Sequence, residues 1–304
     1  MEKMNVTILG CGSALPTRQN FPSAQLLKMH ERLYMLDCGE GAQIRMQQMG
    51  IKTTRLDHIF ISHLHGDHCF GLIGLLSTLN LLHRRADLHI YALAGLEKIL
   101  RPQLDFFCAD FDYKIIFNAI NPRKNELIFD NKSLQVTTIP LKHRVPSCGF
   151  LFREKEKDRH IRRDMIDFYQ IPVKEISRIK KGGDFTTPEG NVIANRLLTT
   201  DPTPAKSYAY CSDTMYDEKI IPIIENVDCL YHEATFAEAD AARAKETTHS
   251  TARQAAAIAK LANVKQLILG HFSSRYNNHK ILLEEAQSIF PNAILAEDRK
   301  KIYF

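Results

Sequence analysis

The chain has 304 residues, 44% hydrophobic and 25% charged with both signs mixed, which is long enough for one large domain or two smaller ones. A net charge of +5 permits a polyanionic partner without demanding one. Seven cysteines, odd in number and never in a CxxC pair, argue against a disulfide framework or a thiolate zinc site and for a reducing compartment.

The opening MEKMNVTILGCG runs straight into strand-like residues and shows no signal-peptide pattern, so a cytoplasmic protein is expected. NVTILG, AQLLKM and RLYMLDCG read as short strands, and EGAQIRMQQMG as a helix closed by Gly50. DHIFIS reads as a buried strand, with a helix from Asp67 to about Leu82. That apolar tract, Cys69 to Leu82, is interrupted by Ser77, Thr78 and Asn80 and is too short to span a bilayer. DLHIYAL reads as a strand and GLEKILRPQLDFF as a helix up to Pro102, since proline breaks helix interiors. SLQVTTIPLKH alternates as a strand ending at His143. KSYAYCSDT and DCLYHEAT are further strands, separated by a helical MYDEKIIPIIEN. HSTARQAAAIAKLANV is the clearest helix, and QLILGHFSSRY a strand leading into a polar turn. Strands and helices together imply one αβ domain with helices covering sheets. Residues 152–193 break the texture, with many charges, little apolar periodicity and a Gly-Gly. They are expected to form an insertion that leaves the core and buries little apolar surface.

The chemistry gathers in HLHGDH. A strand end aims His63 and His65 the same way, while Asp67 and His68 open the next helix and face elsewhere. Imidazole nitrogen and carboxylate oxygen are zinc's non-sulfur ligands, and two metals sharing one turn is the economical reading. His143, Asp213 and His271 each follow an expected strand, where αβ sheets collect ligands. Singly each would cap a turn. Together they complete both coordination spheres, with Asp213 as the bridging carboxylate. His249 begins a helix beside Ser250 and Thr251, and the alternative is a capping neighbourhood in which those two do the work. His30, His58, His83, His89, His160 and His279 lack partners at metal spacing and read as structural or surface.

HLHGDH, PLKH, CSDT and GHFSSRY, in that order, resemble the metallo-β-lactamase fold. GCGSALPTRQNFPSA, MLDCGEGAQIRM, HEATF and THST resemble a narrower group, the short form of ribonuclease Z, the tRNA 3′-processing endonuclease. The resemblance implies a four-layer αβ/βα sandwich with a projecting arm, spanning 1–304 as a single domain with 152–193 inserted. It implies two Zn²⁺ per subunit, one on His63, His65 and His143, the other on Asp67, His68 and His271, bridged by Asp213. Asp67, His249 and Glu233 take the catalytic roles, His249 as an acid held by Glu233. The resemblance further implies precursor tRNA as substrate, cut to leave a 3′-hydroxyl, and a homodimer. Lys174, Arg178, Lys180 and Lys181 are the candidate phosphate contacts of the arm, in which Pro172 follows Ile171 where the family commonly has Gly-Pro. The alternative within the same fold is a small-molecule metallo-hydrolase, a phosphodiesterase or thioesterase.

Overall fold

A computed structural model describes residues 4–108 and 111–304, which divide into two compact units. The first takes the described residues up to Asp130, with Val136–Phe152 and Ser207–Phe304; the second takes Asn131–Gln135 and Arg153–Lys206.

Two seven-stranded mixed sheets form the first unit's frame. One runs, edge to edge, through Lys301–Tyr303, Asn5–Gly10, Ala24–Met29, Arg32–Cys38, Leu56–Phe60, Leu88–Ala92 and Ile115–Ala119. Its first four strands are antiparallel and its last four parallel. The other runs through Ala293–Leu295, Gln266–Gly270, Cys229–Glu233, Ser207–Cys211, Cys148–Glu154, Leu134–Pro140 and Leu127–Asp130. Its four strands from Ser207 onward are parallel. Strands buried on both faces read as continuous apolar runs, which is why SYAYC and CLYHE are buried throughout. The sheets meet through aromatic edges: Phe60 lies 5.4 Å from Phe150 and 5.1 Å from Phe152 between ring centroids. Hydrogen bonds cross the same gap, Tyr208 O–H donating to Gln25 Oε1 (2.6 Å). This is the αβ sandwich that the sequence implied, and no helix among the described residues is long and apolar enough to cross a membrane.

Helices close the outer faces by laying small or aliphatic side chains on the sheets. Ala252–Leu261 buries Ala252, Ala255, Ala256, Ile258 and Ala259, and starts from a capping box between Thr251 and Gln254. Three expected helices differ. The segment after Asp67 forms two pieces, Gly66–Cys69 and Leu72–Leu81, because Gly71 N–H donates out of the helix to Cys38 O (2.9 Å), an approach so close that a Cβ on Gly71 would lie 2.2 Å from Gly39 O. Gly95–Phe107 runs straight through Pro102. Leu96, Leu100 and Leu104 are buried on one face, while Pro102 and Lys98 are solvent-exposed, so water can satisfy the carbonyl that proline leaves unbonded. MYDEKIIPIIEN supplies only a 3₁₀ turn, Glu218–Ile220, and one helical turn, Ile221–Ile224.

The second unit is wider than the expected 152–193 and is not a bare solvated loop. Helices Arg163–Phe168, Val173–Lys180 and Asn195–Leu198 enclose buried Ile171, Ile179, Phe185 and Leu198, with Ile161, Met165, Ile166, Tyr169 and Ile193 packed around them. Asn195 fastens this small core, donating through Nδ2 to Ile179 O (2.6 Å) and Gly183 O (2.8 Å). The apolar positions are spread over several short elements, so no single window showed a period.

Candidate metal centre

Every candidate ligand sits at or just beyond the C-terminal end of a strand. Leu56–Phe60 leads into the extended segment bearing His63 and His65, then into the turn of helix bearing Asp67 and His68. His143 follows Leu134–Pro140, Asp213 follows Ser207–Cys211, and His271 follows Gln266–Gly270 directly. His271 has φ +58°, a left-handed conformation uncommon outside glycine. It is held there as Phe272 N–H donates to Cys11 O (2.9 Å) and Ala234 N–H to Gly270 O (2.8 Å).

These side chains form two groups with the spacing of metal tetrahedra. Zinc bonds of ~2.0 Å to nitrogen and oxygen imply ligand–ligand edges of ~3.3 Å. In the first group His63 Nε2 lies 3.0 Å from His65 Nδ1 and 3.5 Å from Asp213 Oδ2. His143 Nε2 lies 3.4 Å from His65 Nδ1 and 3.7 Å from Asp213 Oδ2. In the second, His68 Nε2 lies 3.4 Å from Asp67 Oδ2, 3.3 Å from His271 Nε2 and 3.3 Å from Asp213 Oδ1. His271 Nε2 lies 3.5 Å from Asp67 Oδ2 and 3.1 Å from Asp213 Oδ1. Each oxygen of Asp213 thus belongs to one group. Nitrogens packed at these edges repel one another unless a cation sits between them, so the donor set fits two metal ions.

Buried partners fix which nitrogen each ring presents. His68 Nδ1–H donates to Asp37 Oδ2 (2.7 Å), and His143 Nδ1–H donates to Thr248 O (2.9 Å). Ser62 spends its hydroxyl proton on Asp37 Oδ2 (2.8 Å), so its Oγ accepts from His63 Nδ1–H (3.0 Å). Thr235 likewise donates to Glu233 Oε2 (2.6 Å) and accepts from His271 Nδ1–H (3.0 Å). All four rings are left with a bare Nε2 aimed at the centre, the arrangement that orients metal-binding histidines. His65 differs, facing its group through Nδ1. Asp37, buried and also accepting from Ser62 N–H (2.7 Å) and Tyr210 O–H (2.7 Å), was not singled out in the sequence. Its signal was an acid inside the apolar strand MLDCG. Thr235 and Thr248 lie inside HEATF and THST, but their bonds to the metal-facing rings, like that of Ser62, depend on the fold.

Glu233 is fully buried and accepts four hydrogen bonds: from His249 Nδ1–H (2.8 Å), Thr214 N–H (3.0 Å), Thr235 N–H (3.2 Å) and the Thr235 hydroxyl. Burial works against a charged His249, but the Glu233 carboxylate lifts its pKa to about 9. The capping at this helix start belongs to Thr251, two residues on. A ligand-type atom of His249 lies within 4.8 Å of those of Asp213 and His271, at a cavity of about 540 Å³ that also exposes Asp67, His65 and His143. Ala14 N–H, on the loop after the first strand, donates to Asp67 Oδ2 (2.7 Å).

The remaining histidines stay outside both groups; His58, for example, stacks on His89 and Tyr34, and burial pushes its pKa down to about 4. The four arm cations lie in the second unit. Lys174, Arg178 and Lys181 are exposed and share one face at three- and four-residue spacing, whereas Lys180 is half-buried. Arg178 is paired with Glu175 (2.8 Å).

Residues 4–171 match the family model described as Anti-Pycsar protein Apyc1, a stretch that includes HLHGDH and His143 but ends before Asp213. The chain is 57% identical over 302 residues to the ribonuclease Z of Phocaeicola vulgatus, covering 99% of this chain and 98% of that one. The solved structure of human tRNase Z, short form, superposes with a TM-score of 0.72 at 26% identity over 98% of both chains. YhfI from Bacillus subtilis, a metallo-β-lactamase fold protein, covers all of both chains with a TM-score of 0.68 at 20% identity, a likeness of fold. With two imidazole-carboxylate groups joined through one aspartate, on this sandwich and at this identity, the chain belongs to the ribonuclease Z family.

Proposed function

We propose that this chain is the endoribonuclease that removes the 3′ trailer from precursor tRNA, using two zinc ions per subunit and leaving a 3′-hydroxyl on the tRNA. The observation that carries the metal assignment is Asp213, whose Oδ2 faces His63 and His143 (3.5 and 3.7 Å) and whose Oδ1 faces His68 and His271 (3.3 and 3.1 Å). When bound, the ions lower the pKa of water to ~7 and offset charge developing on the phosphoryl oxygens.

The chain's own residues then divide the remaining work. Asp67 has Oδ2 engaged by Ala14 N–H, leaving Oδ1 to orient the attacking water. His249, with Nδ1–H tied to Glu233, donates its other ring proton to the departing 3′-oxygen. Glu233 touches no substrate in this scheme and acts as the positioning residue that keeps His249 charged. Lys174, Arg178 and Lys181 contact tRNA phosphates, which gives position and salt-dependent affinity without reading sequence. Lys180, half-buried, contributes less. Seven free cysteines support a reducing, cytoplasmic setting, and the likeness to the family supports a homodimer.

The test uses a precursor tRNA with a 3′ trailer and, in parallel, bis(p-nitrophenyl) phosphate, each with metal-depleted and zinc-restored protein. Zinc-dependent release of the trailer from a tRNA ending in a 3′-hydroxyl is expected. Cleavage of the small diester alone would transfer the assignment to a small-molecule phosphodiesterase.

A further inference from the structure

A second concavity adjoins the metal centre on its His143 side and has no role in the scheme above. It measures about 580 Å³ and shares His143 and Arg144 with the metal cavity. Four cations line it: Arg123, Lys142, Arg144 and Lys219, all exposed. Among the described residues none of the four has an ion-pair partner. The one acid on the lining, Asp217, turns its Oδ1 to accept from Lys219 N–H (3.1 Å), closing a turn. Between the cations the walls are apolar, with Leu141, Val145 and Ile223.

The position of this groove relative to the metals is fixed by backbone. Lys142 N–H donates to Thr214 Oγ1 (3.1 Å), Met215 N–H to Lys142 O (2.9 Å) and Arg144 N–H to Thr248 Oγ1 (3.0 Å). The segment that presents His143 to the first metal group therefore also holds Lys142 and Arg144, and it is pinned to the turn carrying Asp213 and to the neighbour of His249.

We propose that this groove receives the single-stranded 3′ trailer of the precursor, phosphates on its basic rim and bases against its apolar walls. This rests on the functional reading above. A volume within the ~300–1,000 Å³ that suits a compact ligand has room for one or two splayed nucleotides. Basic rims around apolar platforms are how single strands are held without sequence preference. The tRNA side of the cut belongs to a folded body that can be gripped elsewhere; no such body anchors the trailer. Its hold must come from local phosphate contacts, and unpaired cations beside the centre provide them.

The experiment compares the wild-type protein with Arg123→Gln/Lys219→Gln on two precursors, with trailers of one and of about ten nucleotides. Bound metal is measured alongside. On the long trailer kcat/KM should fall at least about fivefold, and the salt dependence of binding should become shallower by ~1.4 in log–log slope. On the one-nucleotide trailer the loss should stay below about twofold. Equal losses on both would place the contacts on the tRNA itself, and no loss on either would leave the groove idle; each overturns the proposal. Should the double variant lose metal, the single variants Arg123→Gln and Lys219→Gln carry the same comparison at about half the slope change. A wild-type protein that leaves both precursors uncut would defeat the functional reading and this proposal together. Wild-type cleavage with an unchanged variant defeats the groove alone.

Discussion

The metal centre and the basic helix Val173–Lys180 are built on opposite principles. At the centre, His63, His68, Asp213 and His271 are buried, and four of the five rings have their second nitrogen committed to Ser62, Asp37, Thr248 or Thr235. On the helix and its C-cap, Lys174, Arg178 and Lys181 stand in solvent, and among the described residues only Arg178 has an ion-pair partner, Glu175. Chemistry at phosphorus needs ligands and proton donors held to a fraction of an ångström, which only buried, satisfied hydrogen bonds provide. Gripping a polyanion needs charge at roughly the right place, which mobile exposed side chains supply at little cost to the fold. Damage should therefore be steep and specific in the first region, shallow and cumulative in the second.

The largest effect is expected from Asp213→Ala. Removing the carboxylate shared by both groups should abolish bound zinc and lower cleavage by ~10³-fold or more. Metal analysis beside a cleavage assay decides it, and a metal-depleted variant with full activity would sink the centre. His249→Ala should cost ~10²–10⁴ in turnover with normal metal content. The loss should shrink on a nitrophenyl diester, whose leaving group needs no proton; an equal loss on both substrates would make His249 structural.

Thr235→Val removes the hydroxyl that links His271 to Glu233 while keeping the side chain's shape. Zinc affinity should drop ~10–100-fold, read by chelator competition. An unchanged affinity would mean that the buried shell is dispensable and would erase the contrast drawn above.

In the second region, Lys174→Gln/Arg178→Gln/Lys181→Gln should raise KM for precursor tRNA while leaving kcat, and should flatten the salt dependence by about 2–3 in log–log slope. A fall in kcat would move these residues into the active-site wall. Substitution is the cleaner test here. Excising 154–191 would cut through a unit whose core includes Ile161, Ile179 and Phe185 and would strand Ile193 and Leu198.

The smallest effect concerns protons. In metal-free protein His249 should titrate near pH 9, well above an ordinary histidine at ~6.5. Because the folded-state value is raised, the stability from the His249–Glu233 pair is complete below ~6.5 and is lost as pH climbs through 9. Zinc loading adds positive charge nearby and should lower that midpoint. NMR titration with and without zinc reads both, and a metal-free midpoint at ~6.5 would show that Glu233 does not hold the ring charged.

Sequence alone determined what local order can encode. The apolar run from Ile59 to Ile61 marks a buried strand, and a His-x-His-x-Asp-His turn after it supplies four donors at fixed separations. Strand-end positions for His143, Asp213 and His271 followed from strand patterns read in the same way. What the tertiary structure decided is which of these atoms meet. The two oxygens of Asp213 face different groups, His65 turns Nδ1 and not Nε2 inward, and Asp37 reaches His68 across 31 residues of chain. Pro102 inside a helix and the small core behind a charged surface belong to that side too. Periodicity reports only neighbours within a turn or a strand. Contacts between residues far apart in the chain depend on how the sheets stack, and no local window contains that information.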